Sequence, residues 1–176
     1  MHKIMTFVCV LFFTGCTGIA EGIKPVTELD IEKYQGKWYE IARLDHRFER
    51  GMSRVTANYA LKPDGYVEVI NRGYVDEEQN WKQAIGKAKF VGDKPNGHLK
   101  VSFFGPFYGS YVIFELDKEN YQYAYITSYN KDYLWLLSRT PSVSEQRLTH
   151  FISTATRYGF DTDALIFMTH NDTKTP

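Results

Sequence analysis

The sequence has few side chains in an arrangement that could catalyse a reaction. It contains no Gly-x-Ser-x-Gly nucleophile elbow, no glycine-rich phosphate loop and no His-x-x-x-His or Cys-x-x-Cys pair. Beyond residue 16 the histidines are scattered over predicted loops and a predicted helix, at His46, His98, His150 and His170. Asp45 adjoins His46, but no serine or cysteine nucleophile accompanies them. We therefore expect no enzyme activity, no metal site and no cofactor.

The net charge and the aromatic content of the chain narrow the class of protein further. The 176 residues include 21 basic and 21 acidic side chains, so the formal net charge is zero. A nucleic-acid partner would need a clustered basic face, and we expect no such partner. Aromatic residues make up 16% of the chain, and they favour strands and a ring-lined cavity over a helical bundle. The length suits one domain with a real core.

The first sixteen residues form a separate segment. Lys3 provides a positive start, residues 4–13 are almost uninterruptedly apolar, and small residues precede Cys16. About ten apolar residues are too few to span a hydrocarbon core of about 30 Å, so residues 1–15 are predicted to be a signal peptide. The ending resembles the bacterial lipobox, with Phe13 where leucine is usual, and implies a lipid on Cys16. The alternative is an ordinary signal peptide cut at another small residue.

Residues 16–27 are predicted to be a lipidated tether that leads to the folded domain. The segment contains two glycines and a proline and shows little periodicity. Of the two cysteines, Cys9 would leave with the signal peptide and Cys16 would carry lipid, so no disulfide is expected. Thr17 follows Cys16 where lipoproteins of the inner membrane carry aspartate. This favours anchoring in the bacterial outer membrane, facing the periplasm.

Hydrophobic alternation of period two recurs along the rest of the chain. Turn signals rich in Gly, Pro, Asn and Asp separate the alternating segments at hairpin spacing. The eight predicted strands lie at 36–44, 54–61, 66–75, 82–91, 99–103, 110–116, 121–128 and 133–138. Short connections favour an up-and-down topology, and closure would remove exposed strand edges. We predict an all-β fold, an eight-stranded antiparallel β-barrel, in a domain at 28–170 followed by a tail at 171–176.

One long helix is predicted after the last barrel strand. Ser142 opens a capping-box pattern, apolar residues then recur at helical spacing, and Gly159 is placed to end the helix. This C-terminal α-helix is expected to pack on the outside of the barrel. A helical turn capped by Asp30 is predicted before the first strand, and residues 164–168 are predicted to form a short last strand.

The predicted inner faces alternate small and large side chains, which leaves space inside a barrel. Eight strands enclose room for about one small ligand. The residues expected to line this cavity are Tyr59, Val69, Asn71, Ala84, Gly86, Val101, Phe103, Tyr111, Ile113, Trp135 and Leu137. Asn71 and Tyr111 are the candidate polar contacts. The alternative is a barrel filled by its own side chains.

Gly36, Trp38 and Arg139 are predicted to close one end of the barrel. A large flat ring can plug a barrel, and a glycine two residues earlier lets the entering chain pass close by. A guanidinium can stack on an indole while it donates to backbone carbonyls, which contributes about 1–2 kcal/mol when partly desolvated. Glu40 shares strand parity with Trp38 and should face inward, where we favour a structural hydrogen bond over a ligand contact.

These residues belong to three sequence runs that together resemble the lipocalin family. The runs are GKWYEIARL at 36–44, NYQYAY at 120–125 and YLWLLSRTP at 133–141. The resemblance spans residues 23–169, and it is to bacterial lipocalins anchored as lipoproteins in the outer membrane. It implies that tryptophan and arginine form the closed floor. It also implies storage or transport of an amphiphilic lipid, a fatty acid or lysophospholipid, for membrane maintenance under stress, and it is compatible with a homodimer.

The sequence is also compatible with other functions. The barrel could carry a different apolar ligand such as haem or a pigment, although no histidine or cysteine is expected on the inner faces. A few lipocalins are catalytic through an interior cysteine or a similar group, which this mature chain would lack. The aromatic run at 103–109 could instead serve a protein-interaction module. The segment 45–52 is expected either to arch over the open mouth, with its arginines near an acidic headgroup, or to be a solvated loop.

Overall fold

The computed structural model describes residues 17–92 and 95–170. The predicted signal peptide at 1–15, the predicted lipid site Cys16 and the predicted tail at 171–176 lie outside the described residues.

The chain forms one helical turn, a series of strands and one long helix. The helices are α1 at Ile31–Tyr34 and α2 at Glu145–Arg157, with a 3-10 turn at Thr162–Ala164. The strands are β1 at Gly36–Arg43, β2 at Met52–Leu61, β3 at Val67–Val75, β4 at Asn80–Phe90, β5 at His98–Phe104, β6 at Phe107–Leu116, β7 at Tyr123–Thr127, β8 at Leu134–Ser138 and β9 at Ile166–Phe167.

The strands close into a barrel. Each strand from β2 to β7 pairs antiparallel with the next one, and β1 pairs with both β8 and β2. The short β9 pairs with the last two residues of β1. The prediction of an eight-stranded up-and-down antiparallel barrel is confirmed, and β9 adds a ninth strand on the edge of β1.

The strand directions define two ends of the barrel. β1 starts at the end beside α1, which we call the closed end, and it runs to the opposite end, which we call the open end. Because successive strands alternate in direction, the β2–β3, β4–β5 and β6–β7 turns lie at the closed end. The β1–β2, β3–β4, β5–β6 and β7–β8 connections lie at the open end.

Apolar side chains are buried in two clusters on opposite sides of the barrel wall. The inner cluster fills the closed end and includes Trp38 and Leu137. The outer cluster joins the wall to α2 and includes Leu136 and Phe151. Leu136 and Leu137 are adjacent in β8, so the period-two alternation assigns neighbouring residues to the two clusters. The predicted packing of the helix outside the barrel is confirmed.

Helix α2 begins later than the capping-box pattern predicts. Ser144, and not Ser142, is the N-cap, because its side chain accepts a hydrogen bond from the Arg147 N–H. Val143 precedes this cap and packs, like Leu148, against the outer cluster. An apolar pair in these two positions is a hydrophobic staple, which fixes how the chain enters a helix. The hydrophobic staple therefore favours Ser144 over Ser142 as the N-cap.

The described part of the predicted tether, residues 17–27, is packed against the barrel and is not a solvated linker. Ala20 is buried in the outer cluster. Its N–H donates to the Ser128 carbonyl at 3.1 Å, and the Val26 N–H donates to the Ile113 carbonyl at 2.9 Å. The segment lacks periodicity because its partners are backbone groups of distant strands. We call it the N-terminal strap.

Candidate functional site: the barrel interior

A tryptophan and an arginine lie stacked at the closed end. Trp38 is fully buried, and its indole Nε1 donates to the Tyr34 carbonyl at 2.9 Å. The guanidinium carbon of Arg139 lies 3.9 Å from the centroid of the Trp38 ring. The nitrogens of Arg139 donate to backbone carbonyl oxygens, those of Tyr121 at 3.2 Å, Lys37 at 3.0 Å and Lys33 at 2.7 Å. One cation thus joins α1, β1 and the β6–β7 connection.

Gly36 lies next to Arg139 of this stack. Its φ of +89° falls in the left-handed region that favours glycine. A Cβ at this position would lie 3.5 Å from Arg139 Nη1, which is an ordinary contact distance. The requirement for glycine is therefore conformational, because the turn from α1 into β1 needs the positive φ.

Three tyrosine hydroxyls meet next to the floor. The Tyr111 hydroxyl lies 2.7 Å from that of Tyr34 and 2.8 Å from that of Tyr59. Burial raises the pKa of all three phenols, so they are neutral at physiological pH. Three hydroxyls supply three protons, and the two hydrogen bonds among them use two. One O–H is left to donate to a further acceptor.

All the residues predicted to line a cavity lie on the inner face of the barrel. The members of the inner cluster or side chains packed against it are Tyr59, Val69, Val101, Phe103, Tyr111, Ile113, Trp135 and Leu137. The others are placed by register: Asn71 lies opposite Ala57 and Ala84, and Gly86 lies opposite Val69. Directly opposed residues of antiparallel strands share a face of the sheet.

Several large inner residues are still partly accessible to water. Val101, Phe103, Tyr111 and Trp135 face inward, but none of them reaches the burial of a packed core residue. A filled interior would cover these side chains almost completely. Water therefore reaches these inner side chains, and the accessible inner surface is mainly apolar.

One inner residue, Gly86, differs from what the small-and-large pattern implies, whereas Asn71 lies on the inner wall as predicted. A Cβ at Gly86 would lie 2.8 Å from two ring carbons of Phe103, so this glycine makes room for the ring and not for a ligand. That part of the cavity prediction is corrected. Asn71 presents a buried Oδ1 without a hydrogen-bond partner among the described residues, so it is an acceptor on the inner wall.

A buried ion pair faces the interior nearer the open end. A register shift just after Glu40 returns Arg43 to the inner face, opposite Trp135. Each of the two charged residues is only 2% exposed, and Arg43 Nη1 donates to Glu40 Oε1 at 2.6 Å. Arg43 Nη2 donates to the carbonyls of Glu49 at 2.8 Å and Met52 at 3.2 Å. Arg43 therefore ties the β1–β2 loop to β1, and Glu40 has the structural hydrogen bond predicted for it.

Glu49 reaches into this cluster from the loop. Its Oε2 lies 2.9 Å from His46 Nε2 and accepts a hydrogen bond from Trp135 Nε1 at 3.2 Å. Burial alone would raise the pKa of Glu49, but the bonds from His46 and Trp135 hold it below its ordinary value. Burial, followed by the nearby Glu49, raises the pKa of Glu40 well above its ordinary value. One guanidinium thus lies near two carboxyls whose pKa values are displaced in opposite directions, so Glu40 binds a proton more readily than Glu49.

Sequence reasoning missed Arg43, His46 and Glu49 as interior residues. Strict alternation along 36–44 assigns Arg43 to the outer face, because a register shift leaves no mark in the pattern. The expectation that no histidine faces inward is wrong for His46, whose ring lies 5.0 Å from that of Trp135. The available signal was the density of charged residues directly after an apolar strand.

The remaining loop side chains point to solvent. Arg50 forms an exposed ion pair with Asp45 at 2.7 Å. The guanidinium of Arg47 lies 5.0 Å from the Phe48 ring, and Phe48 is 57% exposed. The loop is therefore anchored to the interior through Glu49 and solvated along its outer side.

Within 17–92 and 95–170, no three or more His, Cys, Asp or Glu side chains are grouped so that they could hold a metal ion. In the same ranges, no helix is both long enough and apolar enough to cross a membrane.

A plugged floor, an open-ended apolar interior and an external helix define a cup-shaped β-barrel of the ligand-binding class. Solved structures share this fold. Insecticyanin from the tobacco hornworm Manduca sexta superposes with a TM-score of 0.69 at 18% identity, and 88% of each chain is covered. The cockroach allergen Per a 4 superposes with a TM-score of 0.67 at 18% identity, with 87% of this chain and 95% of that chain covered.

Sequence similarity identifies the family. Residues 29–170 match the lipocalin-like domain. The outer membrane lipoprotein Blc of Vibrio cholerae is 54% identical over 168 residues, which are 96% of this chain and 98% of that protein. Outer membrane lipoprotein Blc of Escherichia coli K12 is 48% identical over 147 residues, which are 84% of this chain and 82% of that protein. The chain belongs to the lipocalin family.

Proposed function

We propose that this protein is a lipid carrier whose barrel takes up the acyl chain of one amphiphile, a fatty acid or a lysophospholipid. The observation that supports this most strongly is the set of inward-facing apolar residues that remain accessible above a sealed floor. Each methylene group buried there contributes about 0.8 kcal/mol. The affinity would come from the chain, so the role is binding and transport without catalytic turnover.

We place the carrier at the outer membrane, on the periplasmic side. The proposal rests on the predicted lipobox before Cys16 and on relatives of high identity that are named outer membrane lipoproteins. The chain would be acylated at Cys16, directly before the N-terminal strap, and the carrier would serve membrane maintenance under stress. A lipid that leaves the membrane could then enter a barrel held next to it.

The polar groups near the open end suit the headgroup of such a ligand. Near the open end, the positive charge of Arg43 is already opposed by the carboxyls of Glu40 and Glu49. The Arg43 guanidinium is already bonded to Glu40 and to two backbone carbonyls. A fatty-acid carboxylate would therefore compete with existing bonds of Arg43, whereas the zwitterionic headgroup of a lysophospholipid adds no net charge. We expect the lysophospholipid to bind more tightly.

A fluorescence titration tests this function. The mature chain with Cys16→Ser is titrated with lysophosphatidylethanolamine and with palmitate below their micelle thresholds, and the emission of Trp135 and its neighbours is followed. Saturable one-site binding is expected. Ala84→Phe should block it from the inner face, and Gln83→Phe, on the exposed face next to it, is the matched control. Absence of binding, or equal binding by both variants, would contradict the carrier function.

A further inference from the structure

The outer wall of the barrel carries an exposed apolar patch. Phe104 is 73% exposed and Phe107 is 67% exposed, and the two are paired across the β5–β6 turn. Lys87 of β4 pairs with Ser102 of β5, and the same register extended by two residues places Ile85, 57% exposed, beside Phe104. We call Ile85, Phe104 and Phe107 the wall patch. It lies opposite to the cavity, since the neighbouring Phe103 faces inward.

Two cations flank the wall patch. Lys87 lies on β4 and Lys100 on β5, on the same outer face. Neither forms an ion pair within the described ranges. Their ammonium groups lie against rings instead, Lys87 at 4.8 Å from Tyr66 and Lys100 at 5.3 Å from Tyr108. An apolar centre with unpaired cations beside it is complementary to a membrane surface that contains anionic phosphate headgroups.

The N-terminal strap begins on this wall. His98 Nε2 lies 3.1 Å from the Thr17 carbonyl, and the Ser110 hydroxyl donates to the Gly18 carbonyl. β6 begins at the open end with Phe107, and Ser110 lies three residues further along it, which corresponds to about 10 Å along a strand. Thr17 is the residue directly after the predicted lipid site Cys16. The acyl chains would therefore leave the protein close to the wall patch.

We propose that the wall patch is the surface that this protein lays on the lipid leaflet holding its own acyl anchor. The inference rests on the proposed lipidation of Cys16. The strap is bonded to the wall, so the anchor also orients the barrel, with Phe104 and Phe107 in the headgroup region and Lys87 and Lys100 against phosphates. Because the β5–β6 turn belongs to the open end, the mouth is brought next to the leaflet.

Depth-dependent quenching tests this orientation. The full lipidated protein is reconstituted in phosphatidylethanolamine and phosphatidylglycerol vesicles that contain a spin-labelled lipid, and one fluorophore is attached to an introduced cysteine. Gly105→Cys lies between the two phenylalanines, and a Cβ there has no atom within 4 Å other than those of its own residue and its two chain neighbours. Asp64→Cys and Glu119→Cys lie in exposed turns of the closed end and serve as controls. Quenching should be several-fold stronger at position 105 than at positions 64 and 119.

Variants separate the contributions of the patch and the strap. Phe104→Ser combined with Phe107→Ser should withdraw the label at position 105 from the quencher. Phe48→Ser, which removes another exposed ring at the open end, should leave it in place. His98→Ala should also weaken the quenching, because it releases the strap from the wall. Ligand affinity in the titration above should be the same for the patch variants as for the wild type.

The outcomes distinguish this proposal from the proposed function. Quenching at position 64 or 119 that equals or exceeds the quenching at position 105, or no quenching at any position, would overturn the proposed orientation. The proposed lipid binding would be unaffected, because the separate titration tests it. Energy transfer between labels at position 105 without lipid quenching would show that a second copy covers the patch, and would also overturn it. If the lipidated preparation did not float with the vesicles, the anchoring itself would fail and this inference with it.

Discussion

The two ends of the barrel interior each use one arginine, but the two guanidinium groups are compensated in different ways. At the floor, Arg139 stacks on Trp38 and donates to carbonyl oxygens, and no ion pair involves it among the described residues. At the mouth, Arg43 is bonded to the carboxyl of Glu40 and to the loop that carries Glu49.

This difference separates the closed end, where the contacts of the arginine do not depend on pH, from the open end, where they do. The partners of Arg139 are an indole and backbone carbonyls, which do not change charge with pH. The partners near Arg43 are two carboxyls whose pKa values are displaced in opposite directions. A barrel that must stay sealed below and exchange a ligand above would use this arrangement. The predictions that follow test the contrast from the largest effect to the smallest.

Trp38→Ala should have the largest effect. The ring is fully buried at the floor, and removal of a large aromatic side chain from a core costs about 3–5 kcal/mol. Urea unfolding followed by circular dichroism measures the change. Trp81→Ala, on the partly exposed outer wall, is the matched control and should cost about 1 kcal/mol or less. A wild-type midpoint for Trp38→Ala would rule out the floor argument.

Arg139→Ala should lower the free energy of unfolding by about 2–3 kcal/mol, because it removes the stack and three charge-assisted hydrogen bonds. Arg139→Lys tests whether charge is sufficient. An ammonium lacks the planar fork that meets three carbonyls while it lies on the indole, so less than half of the loss should be recovered. Complete rescue by lysine would show that the floor needs only a cation.

The two carboxyl groups near the open end should make the folding stability depend on pH in opposite directions. The folded pKa of Glu49 is lowered, so its contribution is complete above the unfolded value of about 4.3 and is lost as the pH falls through the folded value. The folded pKa of Glu40 is raised, so the folded protein holds a proton that the unfolded chain releases. Stability therefore declines as the pH rises from about 4.3 towards that raised value.

Two isosteric variants show which carboxyl group causes each part of the pH dependence of stability. Glu40→Gln should flatten the decline on the alkaline side. Glu49→Gln should remove the acid-side loss and cost about 1–3 kcal/mol at neutral pH, because it weakens the bonds from His46 and Trp135. Thermal unfolding from pH 3 to pH 9 gives both profiles, with Arg139→Lys as a control that should keep the wild-type shape. If Glu40→Gln, Glu49→Gln and Arg139→Lys all gave the same stability profile, the contrast between the two ends would be contradicted.

Tyr111→Phe should have the smallest effect, about 1 kcal/mol, because it removes two hydrogen bonds between neutral phenols. Tyr108→Phe, on the neighbouring outer wall, is the control and should be silent. The loss should be the same at every pH from 5 to 8, since burial keeps all three phenols neutral. A pH-dependent loss in this range would mean that the floor titrates as the mouth does.

Much of the fold could be predicted because its signals are local. Alternation between adjacent residues located the barrel strands, and the positive φ of Gly159, +78°, ends α2 where the glycine predicted it. The floor pair is separated by 101 positions, from Trp38 to Arg139. Its prediction relied on stacking chemistry and on the resemblance to lipocalins, because no pattern within one segment brings such residues together.

The interior near the open end could not be predicted in the same way. The register shift after Glu40 depends on which residues of β8 lie opposite β1, and such pairing is a property of two strands. Gly86 seemed to create space, but the ring that fills it comes from β5. The strap has no pattern of its own because the Ser110, Ser128 and Ile113 groups to which it bonds lie far along the chain.

The sequence by itself determined the all-β class, the order of the strands and, except at the end of β1, the two faces of each strand. These follow from side-chain period and turn chemistry, which act between near neighbours. The tertiary structure alone decided that Arg43, His46 and Glu49 form a network inside the mouth and that Thr17 is held on the outer wall. Both depend on long-range register and on desolvation, which exist only once the barrel has closed.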